Sequence, residues 1–150
     1  MNWIYWSFLG AAILHILEEY AFPGGFMTFM QQAVPRFASQ LTVHFSLLIN
    51  GLFLALCLLA VIRGPDQPVF GLSVGWLLFF NGVIHVLTSW RRRTYTPGLI
   101  SSLVLYLPLS IVGLGFIMTQ GTIDFGGMVA AILLGIFYQL VPVGYLALAN

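Results

Sequence analysis

Lysine is absent from this chain of 150 residues, and charge of either sign is scarce. Only 6% of the residues are charged and 60% are hydrophobic, where a soluble globular domain carries roughly a quarter charged. The bases are Arg36, Arg63, Arg91, Arg92 and Arg93; the acids are Glu18, Glu19, Asp66 and Asp124. A water-soluble fold of this size needs a polar skin, and the sequence has no material for one. The natural solvent for its surface is lipid. A formal net charge of +1 leaves no electrostatic footprint for nucleic acid. The single cysteine, Cys57, excludes an intramolecular disulfide. The first residues do not read as a signal peptide, because a basic n-region is missing and His15, Glu18 and Glu19 interrupt the apolar stretch. Repeats and low-complexity segments are also missing, so the chain reads as one domain.

What is present is a series of apolar runs. A spanning helix needs roughly 20 mostly apolar residues, and five segments qualify, at about 2–22, 39–62, 68–90, 97–120 and 125–148. Pro23, Gly24 and Gly25 stop the first, and Arg63, Gly64, Pro65 and Asp66 stop the second. In lipid every backbone group must be satisfied within its own segment, so the spans are expected to be helices. The expected fold is all-α, a polytopic bundle of about five transmembrane helices. The segment 26–37 is too short and too polar to span and suits a short interfacial helix between the first two. Gly71 and Gly75 form a small-xxx-small pair suited to close approach of a neighbouring backbone, and Pro108 and Pro142 are candidate kinks.

The arginines set an orientation. Arg36, Arg91, Arg92 and Arg93 fall in the first and third loops, Arg63 in the second, and none in the fourth. The positive-inside rule then puts the first and third loops in the cytoplasm, with the N-terminus outside and the C-terminus inside an inner membrane. Trp3, Tyr5 and Trp6 are expected in an outer aromatic belt, Trp90 and Tyr95 in the inner one.

This topology gathers the polar residues. His15 lies about 10 Å inside the cytoplasmic end of the first helix, and Glu18 and Glu19 are shallower. His44 and His85 fall at similar depth on the second and third helices, with Asn81 one turn beyond His85. His15 to Glu18 is i to i+3 and His15 to Glu19 is i to i+4, which places all three on one broad face. Ionisable residues at this depth are costly and need neutralising by protons, arginine, water or a cation. Imidazole nitrogens with carboxylate oxygens suit zinc or iron, and helices carrying His/Glu pairs build two-metal bundles. The candidate metal ligands are therefore His15, Glu18, Glu19, His44 and His85. Glu18, Glu19, His85 and Asn81 are the candidate catalytic groups. Thr96 is a candidate cap and Pro97 a first-turn residue for the fourth helix. Its N-terminus, together with Arg91, Arg92, Arg93, Tyr95 and Gly98, would suit a lipid phosphate or an acidic substrate.

Each of these residues has a plainer role to set beside the functional one. Glu18, Glu19 and His44 can be interfacial, His85 and Asn81 can be interhelical glue, Tyr95 a belt residue, and the arginines a topology signal. Tyr138 and Gln139 fall in the inner half and could complete the site, Asn50 near mid-membrane has no assigned role, and Cys57 is expected in the core.

The sequence resembles the HXXEE family of small, poorly characterised, mostly bacterial membrane proteins. The name-giving motif is His15-Ile16-Leu17-Glu18-Glu19, and two further signatures, N-x-x-x-H and Y-x-P-G, match Asn81 to His85 and Tyr95 to Gly98. The resemblance runs from the first helix through the fourth. It implies a membrane protein with a His/Glu site and names no reaction; His44 lies outside its motifs.

Three functions compete. A membrane-embedded metalloenzyme would use zinc or iron to activate water or oxygen against a lipid-like substrate. A metal-free isomerase would shuttle protons through His15 and Glu18 on a hydrophobic substrate. A transporter or binding protein for a metal ion or proton would need polar residues continuing to the outer face, and the outer halves offer little beyond Ser73 and Asn50. A structural subunit is the remaining reading. Membrane lipid and a hydrophobic small molecule are the expected partners, and an oligomer is compatible with the chain.

Overall fold

The computed structural model describes residues 2–21, 25–121 and 123–148. Among them are six helices and no strand: α1 (Asn2–Ala21), α2 (Gly25–Ala33), α3 (Val43–Arg63), α4 (Pro68–Arg92), α5 (Leu99–Thr119) and α6 (Phe125–Leu148). A single 3-10 turn, Pro35–Phe37, follows α2. The expected end of the first span at Phe22 and its stop at Pro23 and Gly24 lie outside the described residues. Four helices, α3 to α6, are long and apolar enough to cross a membrane.

The apolar spacing of α1 explains its central place. Ile4, Tyr5, Phe8, Ala11 and Ala12 are buried and recur every three or four residues, the stripe of a helix facing a core. His15 and Glu19 continue the same stripe and are also buried. α1 packs against α3, α4 and α5, while α6 packs on α4. Tyr5, expected in an aromatic belt, is instead fully buried, and its hydroxyl donates to the Gly64 carbonyl at 3.2 Å. Gly71 and Gly75 make room for the side chains of Tyr5 and Phe8 rather than for a backbone. The close backbone approach comes at Gly135 of α6, where an added Cβ would lie 2.6 Å from the Trp76 Cβ and 3.1 Å from the Ser73 carbonyl oxygen. With Gly127 against Val69 in the same way, α6 runs parallel to α4.

Helix ends follow local chemistry. The Thr42 hydroxyl accepts from the Phe45 N–H at 3.2 Å and caps α3. α4 ends where Arg93 turns left-handed (φ 53°) and the Thr94 N–H reaches back to the Ser89 carbonyl. α5 starts at Leu99, two residues beyond Pro97, with Gly98 as the residue before it and no side-chain cap from Thr96. Its second turn, Ser102–Tyr106, is widened to i to i+5 bonding. The cause is Pro108, which has no N–H for the Val104 carbonyl and crowds it.

Candidate functional site

His15, Glu19 and His85 converge in the layer between α1 and α4. They are 2%, 5% and 5% exposed, so water does not solvate them. His15 Nε2 lies 3.4 Å from Glu19 Oε1, and His85 Nε2 lies 3.5 Å from the same oxygen. The two imidazoles meet edge to face, with ring centroids 4.8 Å apart. Among the described residues these two histidines are the ion-pair contacts of Glu19, and no arginine reaches it.

His15 Nδ1 and Ser101 Oγ share a 2.8 Å hydrogen bond, and Ser101 Oγ also reaches the Gly98 carbonyl at 3.2 Å. With Nε2 of both rings turned to Glu19, two imidazole nitrogens and a carboxylate oxygen face one another. When both rings carry their protons on Nδ1, these are three acceptors in a dry site, which a cation between them would satisfy. Separations of 3.4 and 3.5 Å are long for hydrogen bonds. They match the edge of a tetrahedral metal site, where bonds of about 2.0–2.1 Å put ligand atoms about 3.3 Å apart. The three ligand atoms all lie within 4.8 Å of one another, the arrangement of a possible metal centre.

The loop 93–98 is laid over the histidines and pinned to α4. Ser89 and Thr96 share a 2.6 Å hydroxyl contact, the Thr96 N–H donates to Ser89 Oγ, and Thr96 Oγ1 donates to the His85 carbonyl. Gly98 has φ +91°, and a Cβ there would lie 2.6 Å from His15 Cε1 and 2.9 Å from His85 Cε1. Glycine is needed at this position for both the left-handed backbone and the contact. Tyr106, in the widened turn, stacks on His15 at 4.3 Å.

Glu18 has a different task from Glu19. Its Oε1 accepts from the Ile100 N–H at 3.0 Å and its Oε2 from the Ser101 N–H at 2.7 Å. The Tyr95 hydroxyl also donates to Oε1. Glu18 thus occupies the N-terminus of α5, where free N–H groups favour an anion. The place expected to hold a lipid phosphate or acidic substrate is filled by the protein's own carboxylate. Burial and the bond to Glu18 push the Tyr95 hydroxyl above the usual tyrosine range.

A family model described as "Protein of unknown function with HXXEE motif" matches residues 6–113. The chain belongs to the HXXEE family. No curated protein and no solved structure matches it. The geometry gives two of the HXXEE signatures a physical meaning. In the name-giving motif the histidine and the second glutamate face the centre, and the first glutamate holds α5. In Y-x-P-G, Tyr95 ties the loop to Glu18 and Gly98 packs against both histidines.

The remaining candidates are distributed around this centre. Asn81 lines a cavity of about 860 Å³ together with Glu19 and His85, and Arg91 and Arg92 line its other end. Arg92 donates to the Ala33 carbonyl at 2.7 Å and lies over the Phe29 ring, which fastens α2 across the cavity. Arg93 is exposed at the end of α4. His44 is exposed and lines a separate pocket with Gln40 and Tyr145. Ser101 is the residue that spacing alone does not find, since a serine in an apolar run carries no signal of an imidazole 86 positions earlier.

Proposed function

We propose that the protein is an integral membrane metalloenzyme acting on a lipid-like or hydrophobic substrate. His15, Glu19 and His85 hold one zinc or iron ion near the cytoplasmic face of a bundle in which α1 is the fifth span. The observation that carries this reading is the convergence of two buried imidazole Nε2 atoms on one buried Glu19 oxygen. A ligand held by an outer partner, as His15 is by Ser101, is typical of metal centres. Two histidines and one carboxylate leave coordination positions open, as catalytic sites do.

The bound metal would supply Lewis acidity, or redox chemistry if it is iron. The chain supplies the rest. Apolar cavity walls take the substrate from lipid and exclude water from the reacting centre. Glu19 lies on the cavity wall and can exchange a proton with a bound molecule. Glu18, with both oxygens engaged, fixes the start of α5 and thereby Ser101 and the orientation of His15. His44 is left out of the ligand set.

Elemental analysis of untagged protein purified in mild detergent without chelator tests this, beside His15→Ala and Glu19→Gln variants. The expected result is about one equivalent of zinc or iron in the wild type and its loss in both variants, with helical circular dichroism retained. Wild-type protein that takes up no metal after reconstitution refutes it and leaves the proton-shuttling isomerase as the reading.

A further inference from the structure

The large cavity ends in three carboxamides. Its walls come from α2, α3, α4 and α6. On α3 the lining residue furthest from the arginine-bearing end is Asn50, on α4 it is Asn81, and on α6 it is Gln139. The parallel register of α6 on α4 brings Gln139, four residues past Gly135, level with the residues four past Trp76, next to Asn81. Between this floor and the arginines the walls are mainly apolar, with Phe45, Ile84, Leu87, Leu140 and Val143, interrupted where Glu19 and His85 reach the cavity.

Among the described residues Asn81 Oδ1 is buried with no hydrogen-bond partner, and Asn50 has one stretched contact, from Nδ2 to Ser46 Oγ at 3.5 Å. A buried acceptor without a partner costs about 1–3 kcal/mol, which a bound donor would recover. The floor itself offers neutral donors and acceptors. A carboxylate or phosphate head would bring only acceptors to the unpartnered Asn81 Oδ1, whereas a hydroxyl or an amide N–H would supply the donor it lacks.

We infer that Asn50, Asn81 and Gln139 form the binding site for the head of a neutral lipid-phase molecule, an apolar body bearing an uncharged hydrogen-bonding group. The body lies along α4 toward the arginine-bearing end under Phe26, Phe29 and Met30 of α2. Asn81 is one helical turn, about 6 Å, from His85, so the polar head and the carbons next to it are the part presented to the His/Glu centre. This names the substrate class for the proposed enzyme, and rests on that reading only for the claim that the bound molecule reacts.

The test is native mass spectrometry of the detergent-solubilised protein with 1-hexadecanol or hexadecanoic acid at matched concentration, and metal content measured on the same samples. The alcohol adduct is expected to exceed the acid adduct on wild-type protein. It should fall about tenfold in Asn81→Leu, the loss of a good hydrogen bond, and also fall in Gln139→Leu, which reports independently if the first variant misfolds. Metal content should be unchanged in both. Preference for the acid, or alcohol binding insensitive to both amide substitutions, overturns the inference even where metal is present. Amide-dependent alcohol binding by a protein that takes up no metal would uphold the site and remove the metalloenzyme reading.

Discussion

Glu18 and Glu19 are neighbours in sequence, yet their carboxylates serve opposite sides of one assembly: Glu19 Oε1 faces two histidine nitrogens, and Glu18 holds the backbone N–H groups of Ile100 and Ser101. Adjacent positions on a helix point about 100° apart, so one glutamate continues the buried stripe of α1 and the other reaches sideways to α5. Their substitution should therefore have separable effects. Glu18→Ala is expected to cost about 1–2 kcal/mol, as for a lost helix cap, and to keep metal, with weakened affinity, when assayed below its lowered melting temperature. Glu19→Ala is expected to abolish metal uptake with the helical fold intact. Equal loss of metal from both folded variants would show that the division of labour is wrong.

Ser101→Ala should leave the fold in place, because the Ser101 backbone N–H still serves Glu18. It removes the hydrogen-bond partner of His15 Nδ1 and with it the hold on that ring. Outer-shell losses of this kind typically cost 10–100-fold in metal affinity, and competition with a chromogenic chelator would read the change. An unaltered affinity would mean that stacking on Tyr106 alone orients His15.

Gly98→Ala is expected to be damaging beyond its size. The new methyl would meet His15 Cε1 at 2.6 Å on a backbone held at φ +91°, and a left-handed non-glycine residue costs of order 1–3 kcal/mol before any clash. Melting temperature and metal content should both drop. Gly115→Ala in α5, where an added Cβ meets nothing within 4 Å, is the control and should be neutral or slightly stabilising. Similar behaviour of the two variants would argue against a close fit of the loop over the histidines.

Tyr95 gives a pH dependence with a fixed sign. Burial, then the hydrogen bond to Glu18, raise its hydroxyl above the ordinary tyrosine value of 10.0. Folding therefore favours the protonated form, and the contribution is complete below pH 10 and lost as pH climbs through the raised value. Thermal melts across the alkaline range should show wild-type protein losing stability that Tyr95→Phe, already weaker at neutral pH, does not have to lose. Parallel curves for the two proteins would remove Tyr95 from the account.

The sequence by itself determined the helical class and the apolar spans, because composition leaves no polar surface and lipid-compatible backbone must bond within its own segment. It also determined that His15 and Glu19 share a face, since i to i+4 spacing is a property of one helix. It could not divide the work of Glu18 and Glu19, because that depends on where α5 begins, and α5 begins at Leu99 through the left-handed turn at Gly98. Nor could it separate His44 from His15 and His85: equal depth along three helices says nothing about rotation around each axis. Only the packed structure brought Ser101 to His15 and Gly98 against both histidines, and only it showed Asn50, Asn81 and Gln139 lining one cavity. Periodicity fixes which residues share a helix face, whereas helix rotation and loop path, set by how the bundle packs, decide which faces meet.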